Sequence, residues 1–95
     1  MIKTYLQGAI LLTCRKEKMV SIIGAGTVED IHGLLPDDYK QYKEETIRKA
    51  LNSLVKDEYM GKGLMIGNKN TYYLTDKGYQ ETRKLTKKAG EIQYV

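Results

Sequence analysis

The sequence predicts an α+β domain in which three helices form a core, a β-hairpin follows them and a last helix closes the chain. Three observations predict it. Ile47, Ala50, Leu51, Leu54 and Val55 recur at helical spacing, a stripe that buries one face of a helix. Two strand-like runs, "LMI" and "TYYL", flank a short polar turn, the pattern of a hairpin. The remaining segments read as two helices and a short strand before the stripe, and one helix after the hairpin.

Taken in order, "IKTYLQGAILLTC" places Ile2, Tyr5, Leu6, Ala9, Ile10 and Thr13 near one side at helical spacing. This predicts a helix over Lys3–Cys14, ended by the charged run Arg15-Lys16-Glu17-Lys18. "MVSII" is short and β-branched, bounded by charges and then glycines, and reads as a strand. Thr27-Val28-Glu29-Asp30 matches a capping box with Asp in place of the longer Glu. A short helix follows from Val28 to Leu35, and Pro36 closes it. The polar connection "PDDYKQYKEE" leads to the main helix, Lys43 to Tyr59. Gly67-Asn68-Lys69-Asn70 forms the hairpin turn. Thr75 then caps a last helix, with Asp76 in its first turn, that runs to Lys88.

Ninety-five residues suit one domain, 1–95, with no room for two lobes. No apolar run approaches the roughly 20 residues that span a bilayer, and the start lacks a secretory pattern. One cysteine, Cys14, makes no internal disulfide, which fits a cytoplasmic protein. Cys14 reads as a buried small hydrophobe and His32 as a packed or surface side chain; the two do not make a metal site. No nucleophile–base–acid set is visible, so neither an enzyme nor a cofactor is expected. The net charge of +4 is uneven: residues 1–19 carry +3, residues 20–60 carry −3 and residues 61–95 carry +4. Positive charge favours a polyanion only where it gathers on one face.

Gly24-Ala25-Gly26 after an apolar run meets the first two positions of a dinucleotide-binding loop. The third position is Glu29, too bulky for close packing and of the wrong charge for phosphate, and no second βαβ unit follows. The glycines are therefore read as backbone freedom where a strand turns into a capped helix.

Two stretches carry a resemblance. "TIRKALNSLVKDEYM" resembles the recognition helix of winged helix-turn-helix regulators, where T-V-x-x-A-L-x-x-L-x-x-x-G-L recurs. "NTYYLTDKGYQ" resembles the second strand of their wing and its exit into the last helix, often Y-Y-x-L-T-x-x-G in the MarR and PadR families. Together they span Thr46 to Gln80. The resemblance implies a winged helix-turn-helix fold with a three-helix core, a β-hairpin wing and a C-terminal helix, "MVSII" being the small strand that joins the wing. It implies a small sequence-specific regulator of transcription that binds double-stranded DNA. A homodimer is expected, held by the first helix, the last helix and the tail 86–95, the elements left over after the core is built. The chain departs from the pattern in a longer connection after Pro36, in Glu44 and Glu45 at the recognition-helix start, and in Tyr59 where a glycine is usual.

With the stripe turned inward, the outer face of the main helix holds Tyr42, Glu45, Thr46, Lys49, Ser53 and Lys56, flanked by Arg48 and Asn52 and preceded by Lys43. These donor-rich side chains suit phosphates and base edges. Tyr42, Lys43, Thr46, Arg48, Lys49, Asn52 and Lys56 are the expected DNA contacts of the helix, and Asn68, Lys69 and Asn70 those of the wing. A solvated helix face and plain turn chemistry would use the same residue types. Two other uses of the fold remain open: a protein-contact module docking through the acidic central segment, and RNA or single-strand binding through the wing tyrosines.

Overall fold

The computed structural model describes residues 4–89, with side-chain environments for residues 4–85. The elements are α1 (Tyr5–Lys16), β1 (Gly26–Thr27), α2 (Val28–Leu34), α3 (Asp37–Lys40), α4 (Glu44–Lys56), β2 (Met60–Lys62), β3 (Thr71–Leu74) and α5 (Asp76–Ala89). The antiparallel sheet has the order β1-β3-β2. Apart from the short α3, this is the expected winged helix-turn-helix order.

The α4 stripe forms as its spacing requires: Ile47, Leu51 and Leu54 are fully buried, with Ala50 and Val55 packed beside them. They meet Ile10, Leu11 and Cys14 of α1, Ile31 of α2, and Met60, Tyr72 and Leu74 of the sheet in one core. Truncating one such leucine to alanine costs about 2–5 kcal/mol.

The sequence reading of α1 needs correction. It is not left over for dimerisation: every residue from Leu6 to Cys14 is buried, because α2, α4, α5 and β3 all pack around it. Of the other expected dimer elements, the last helix is α5, which packs on α1, and the tail lies at residues 90–95 outside the described residues and at 86–89, where only helical backbone is described.

Both long core helices end the same way. Met19 N–H donates to the Cys14 carbonyl at 2.8 Å and Lys18 N–H to Arg15 at 3.2 Å after α1. After α4, Tyr59 donates to Leu54 at 2.9 Å and Glu58 to Val55 at 3.0 Å. This Schellman pattern needs a left-handed residue, supplied by Lys18 (φ 59°) and Glu58 (φ 69°). The position a glycine would favour is thus Glu58, and Tyr59 follows it into the core.

Thr27 and Asp30 form the full capping box at the start of α2, each side chain accepting the other's backbone N–H. Leu35 leaves the helix with ψ 153° ahead of Pro36, as a residue before proline must. The connection after Pro36 contains an unforeseen helical turn, α3. His32 fastens it to α2, its Nε2–H donating to the Lys40 carbonyl at 2.9 Å.

Two expected strands do not form. In "MVSII" only Met19 enters the core, while Val20, Ile22 and Ile23 are exposed. The α1 terminus fixes Lys18 and Met19, and Ser21 Oγ accepts from Gly24 N–H at 3.1 Å, a local turn that competes with an extended ladder. Pairing starts only at Gly26 and Thr27, opposite Tyr72 and Thr71. Residues 20–25 form a strap beside the sheet, where a Cβ on Gly63 would lie 2.6 Å from Ala25 Cβ and 2.9 Å from the Ile22 carbonyl. Nor does "LMI" pair along β3. Met60, Gly61 and Lys62 take that place, opposite Leu74, Tyr73 and Tyr72, because Met60 carries the apolar anchor of the core. The hairpin turn lies one residue earlier than expected, with Ile66 and Lys69 bonded across Gly67-Asn68. Gly67 at φ +61° supplies the first central position of a type II′ turn.

Thr75 caps α5 as expected, its Oγ1 accepting from Gly78 N–H at 3.0 Å and donating to the Glu58 carbonyl at 2.7 Å. The glycine of the wing-exit motif has a packing reason. A Cβ on Gly78 would lie 2.0 Å from the Tyr59 carbonyl oxygen and 2.7 Å from Leu74 Cδ1.

Candidate nucleic-acid interface

Burying the α4 stripe turns Lys43, Glu44, Glu45, Thr46, Arg48, Lys49, Asn52 and Lys56 to solvent, with Tyr42 ahead of them and Ser53 half-buried. Lys43 is the N-cap residue and makes no side-chain cap bond. Tyr42 stacks on Tyr39 with ring centres 6.3 Å apart. Glu44 and Glu45 occupy the first turn, where they favour the helix dipole. Glu45 holds the Arg48 guanidinium in an ion pair. Lys43, Lys49 and Lys56 form no ion pair with any described residue.

The wing tip folds toward the start of α2. Lys69 pairs with Glu29, and the hydrogen bond to Glu29, then its charge, raises the lysine's pKa above the usual value. Beneath it, the Tyr72 hydroxyl donates to Asn52 Oδ1 at 3.3 Å and so joins wing to α4. Burial pushes the Tyr72 phenol upward, against the opposing pull of Arg48 and of a hydrogen bond with Asn70, so it stays a neutral donor. With Oδ1 engaged, the Asn52 amide nitrogen is the end free to donate outward.

The structure therefore gathers four of the ten expected contacts, Arg48, Asn68, Lys69 and Asn70, at one open groove lined also by Tyr72 and by Thr27, Val28 and Glu29. Asn52 joins them through Tyr72. Tyr42, Lys43, Thr46, Lys49 and Lys56 do not line this groove and extend the exposed surface along α4.

Two participants escape sequence reading. Glu29, read as part of a cap, is the partner of Lys69. Lys62 pairs with Tyr72 across the sheet, which puts it on the same sheet face as the tyrosine that reaches α4. It is exposed and makes no ion pair with a described residue. Strand alternation counted back from "TYYL" would have found it had the first wing strand been placed correctly.

Elsewhere, Cys14 is fully buried and desolvation raises its thiol to about 12, a setting for packing rather than thiolate chemistry. Among the described residues no cluster of His, Cys, Asp and Glu could hold a metal ion. No helix among them is long and apolar enough to cross a membrane.

No family profile and no curated protein sequence matches the chain. Solved structures do. TubR from Bacillus megaterium pBM400 superposes with a TM-score of 0.73 at 23% identity, over 88% of this chain and 87% of that one. A DNA-binding TubR fragment from Clostridium botulinum gives 0.68 at 15% identity, over 90% of this chain and 99% of the fragment. BpsR of Bordetella bronchiseptica, studied for the regulation of its DNA binding by 6-hydroxynicotinic acid, gives 0.71 at 18% identity. The match covers 95% of this chain and 57% of BpsR. At these identities the likeness shows the fold, and the chain is a winged helix-turn-helix domain.

Proposed function

We propose that the domain binds double-stranded DNA sequence-specifically and regulates transcription as a homodimer, in the manner of small MarR- and PadR-like regulators. One observation carries the reading: Arg48 of α4 meets Asn68, Lys69 and Asn70 of the wing at one groove, and Asn52 of α4 is bonded to the Tyr72 that lines it. Of the lysines that pair with no described carboxylate, Lys43, Lys49, Lys56 and Lys62 lie on these same elements, and Lys16 and Lys18 lie at the end of α1. The DNA binding named for the structural neighbours BpsR and TubR supports the same reading.

A helix about 10–12 Å across fits a major groove about 12 Å wide. In that pose Lys49 and Lys56 meet phosphates, and Thr46 and the Asn52 amide nitrogen reach base edges, while the wing follows the adjoining backbone. Arg48 and Lys69 first exchange a carboxylate for a phosphate, Glu45 and Glu29 being the groups displaced. A monomer offers one such unit, and two related by a dyad would read two half-sites.

Protein contact through the acidic segment is the weaker reading. Glu29, Asp37, Glu45 and Glu58 are in ion pairs within the chain, Asp30 is in the cap and Asp57 is half-buried at the end of α4, which leaves Asp38 and Glu44 rather than an acidic face. Single-strand stacking has little support, because Tyr72 is 1% exposed. Mobility shift of a random duplex at two salt concentrations tests the proposal. Retardation that weakens steeply with salt is the expected result, and none at low salt overturns it. Selection from random duplex pools then gives the site, and light scattering the oligomeric state.

A further inference from the structure

The first arm of the wing is apolar where a solvated loop would be polar. Leu64, Met65 and Ile66 are 71%, 57% and 58% exposed, three large apolar side chains in a row. Their backbone is held at both ends. Gly63 N–H donates to the Thr71 carbonyl at 3.0 Å, the Thr71 hydroxyl donates to the Leu64 carbonyl at 2.6 Å, and Ile66 and Lys69 exchange backbone bonds at 2.9 and 3.0 Å. Pairing thus steps from Gly63–Thr71 to Ile66–Lys69, and Leu64 and Met65 stand opposite Asn70 alone. One extra residue on this arm is a bulge, a device that bends a strand and re-aims its side chains.

The charge around this arm selects its partner. From Tyr59 to Thr75 the chain carries two lysines, Lys62 and Lys69, and no carboxylate of its own, Lys69 being paired with Glu29 of α2; Asn70 stands across the hairpin from the apolar run and Asn68 lies in its turn. Phosphates line both walls of a minor groove, and its floor of sugars and base edges accepts apolar side chains that part a base step. An apolar arm between cations and amides matches that layering.

We propose that Met65 and Ile66 form a wedge that enters the minor groove beside Lys62 and Lys69, unstacks a base step and bends the duplex. The inference rests on the DNA-binding reading above and adds shape recognition to it. Sites with a flexible pyrimidine–purine step under the wing are preferred, because such steps open most easily.

The test uses the full chain and a duplex of about 30 base pairs selected from a random pool, dye-labelled at its ends or carrying 2-aminopurine at successive positions. Wild type should raise end-to-end energy transfer, corresponding to a bend of roughly 20–90°, and should brighten 2-aminopurine at one step. Met65→Ser with Ile66→Ser should lose both signals and roughly tenfold in affinity. Its salt slope should stay unchanged, since no charge is removed. Both side chains are exposed, so the variant should melt like wild type, and Met65→Leu should keep the bend. Ile22→Ser with Ile23→Ser, on the neighbouring apolar strap, should also keep it. A wild-type complex with straight DNA overturns the wedge, as does a serine variant that bends DNA normally. A serine variant that bends DNA normally but lowers the mass of the free protein makes the arm a protein surface instead. Absence of any duplex binding by wild type removes the DNA-binding reading itself, and the wedge with it.

Discussion

Helix α4 and the wing meet over Tyr72, yet only α4 carries carboxylates of its own. Helix α4 opens with Glu44 and Glu45 and holds its own Arg48 through Glu45. The wing carries no carboxylate between Tyr59 and Thr75, and its Lys69 is restrained from outside, by Glu29 of α2. The difference teaches a division of labour. In the proposed DNA-bound pose the start of α4 would repel phosphate, and the helix would dock through its later residues, Lys49, Asn52 and Lys56. The wing has no carboxylate of its own and would supply attraction for the backbone once Lys69 is released from Glu29. Glu29 and Glu45 occupy two cations, and in the proposed complex their displacement would weaken binding to arbitrary sequence.

The comparison breaks most completely if the wing proves to be an appendage. Met60, Tyr72 and Leu74 are core residues, so a chain truncated at Gly61 should lose cooperative unfolding altogether. A cooperative, helical melt of residues 1–60 would show two independent parts. Gly78→Ala probes the same joint more gently. A Cβ there meets the Tyr59 backbone, and a loss of about 3 kcal/mol is expected in denaturant unfolding. An unchanged midpoint would mean that α5 does not press on the α4 terminus.

The alkaline side of stability separates the helical half from the wing. The folded Cys14 thiol holds its proton up to about 12, whereas the unfolded chain releases it near ~8.5. Stability is therefore intact below ~8.5 and falls as pH rises above it, by up to about 1.4 kcal/mol per pH unit. Cys14→Ala should cost about 1 kcal/mol at neutral pH and remove this part of the alkaline decline. Identical pH profiles would place the thiol in water.

Tyr72→Phe sharpens the comparison by cutting the link between the two regions. Losing the bond to Asn52 should cost about 1 kcal/mol. Freeing Asn52 Oδ1 should also shift base preference in a pool selection. A stability change with no change in preference would put Asn52 away from the bases. The smallest effect belongs to the acidic pair. Glu44→Gln with Glu45→Gln should strengthen binding to random duplex a few-fold at low salt and less at high salt, because the gain is screened. No change would mean that the start of α4 stays clear of phosphate.

What the sequence discloses depends on how local the cause is. The α4 stripe, the Thr27–Asp30 box and the Thr75 cap are settled by residues within a turn or two of one another, and each forms as read. Strand placement depends on distant partners. "MVSII" has strand composition, but its neighbours Lys18 and Ser21 turn the backbone before any ladder starts. "LMI" has it too, but Met60 is the anchor the core requires, and the bulge at Leu64 and Met65 absorbs the offset. Among the site residues, the exposed donors of α4 follow from the stripe by elimination. The Tyr72–Asn52 bond, the hold of Glu29 on Lys69 and the exposure of Lys62 follow only from packing between elements, which no local pattern records. That every residue of α1 from Leu6 to Cys14 is buried was hidden for the same reason, since its burial comes from four other elements at once.

If α4 and the wing hold one duplex together, as proposed, the salt dependence of binding registers both regions at once. Affinity for the selected duplex should be measured across salt concentrations for wild type, Lys49→Ala, Lys69→Ala and the double variant. Each single substitution should flatten the log–log slope by about 0.9 and the pair by about twice that, since each lysine releases its own counterion. Slopes equal to wild type in all three variants would contradict the account, because neither region would then touch the DNA backbone.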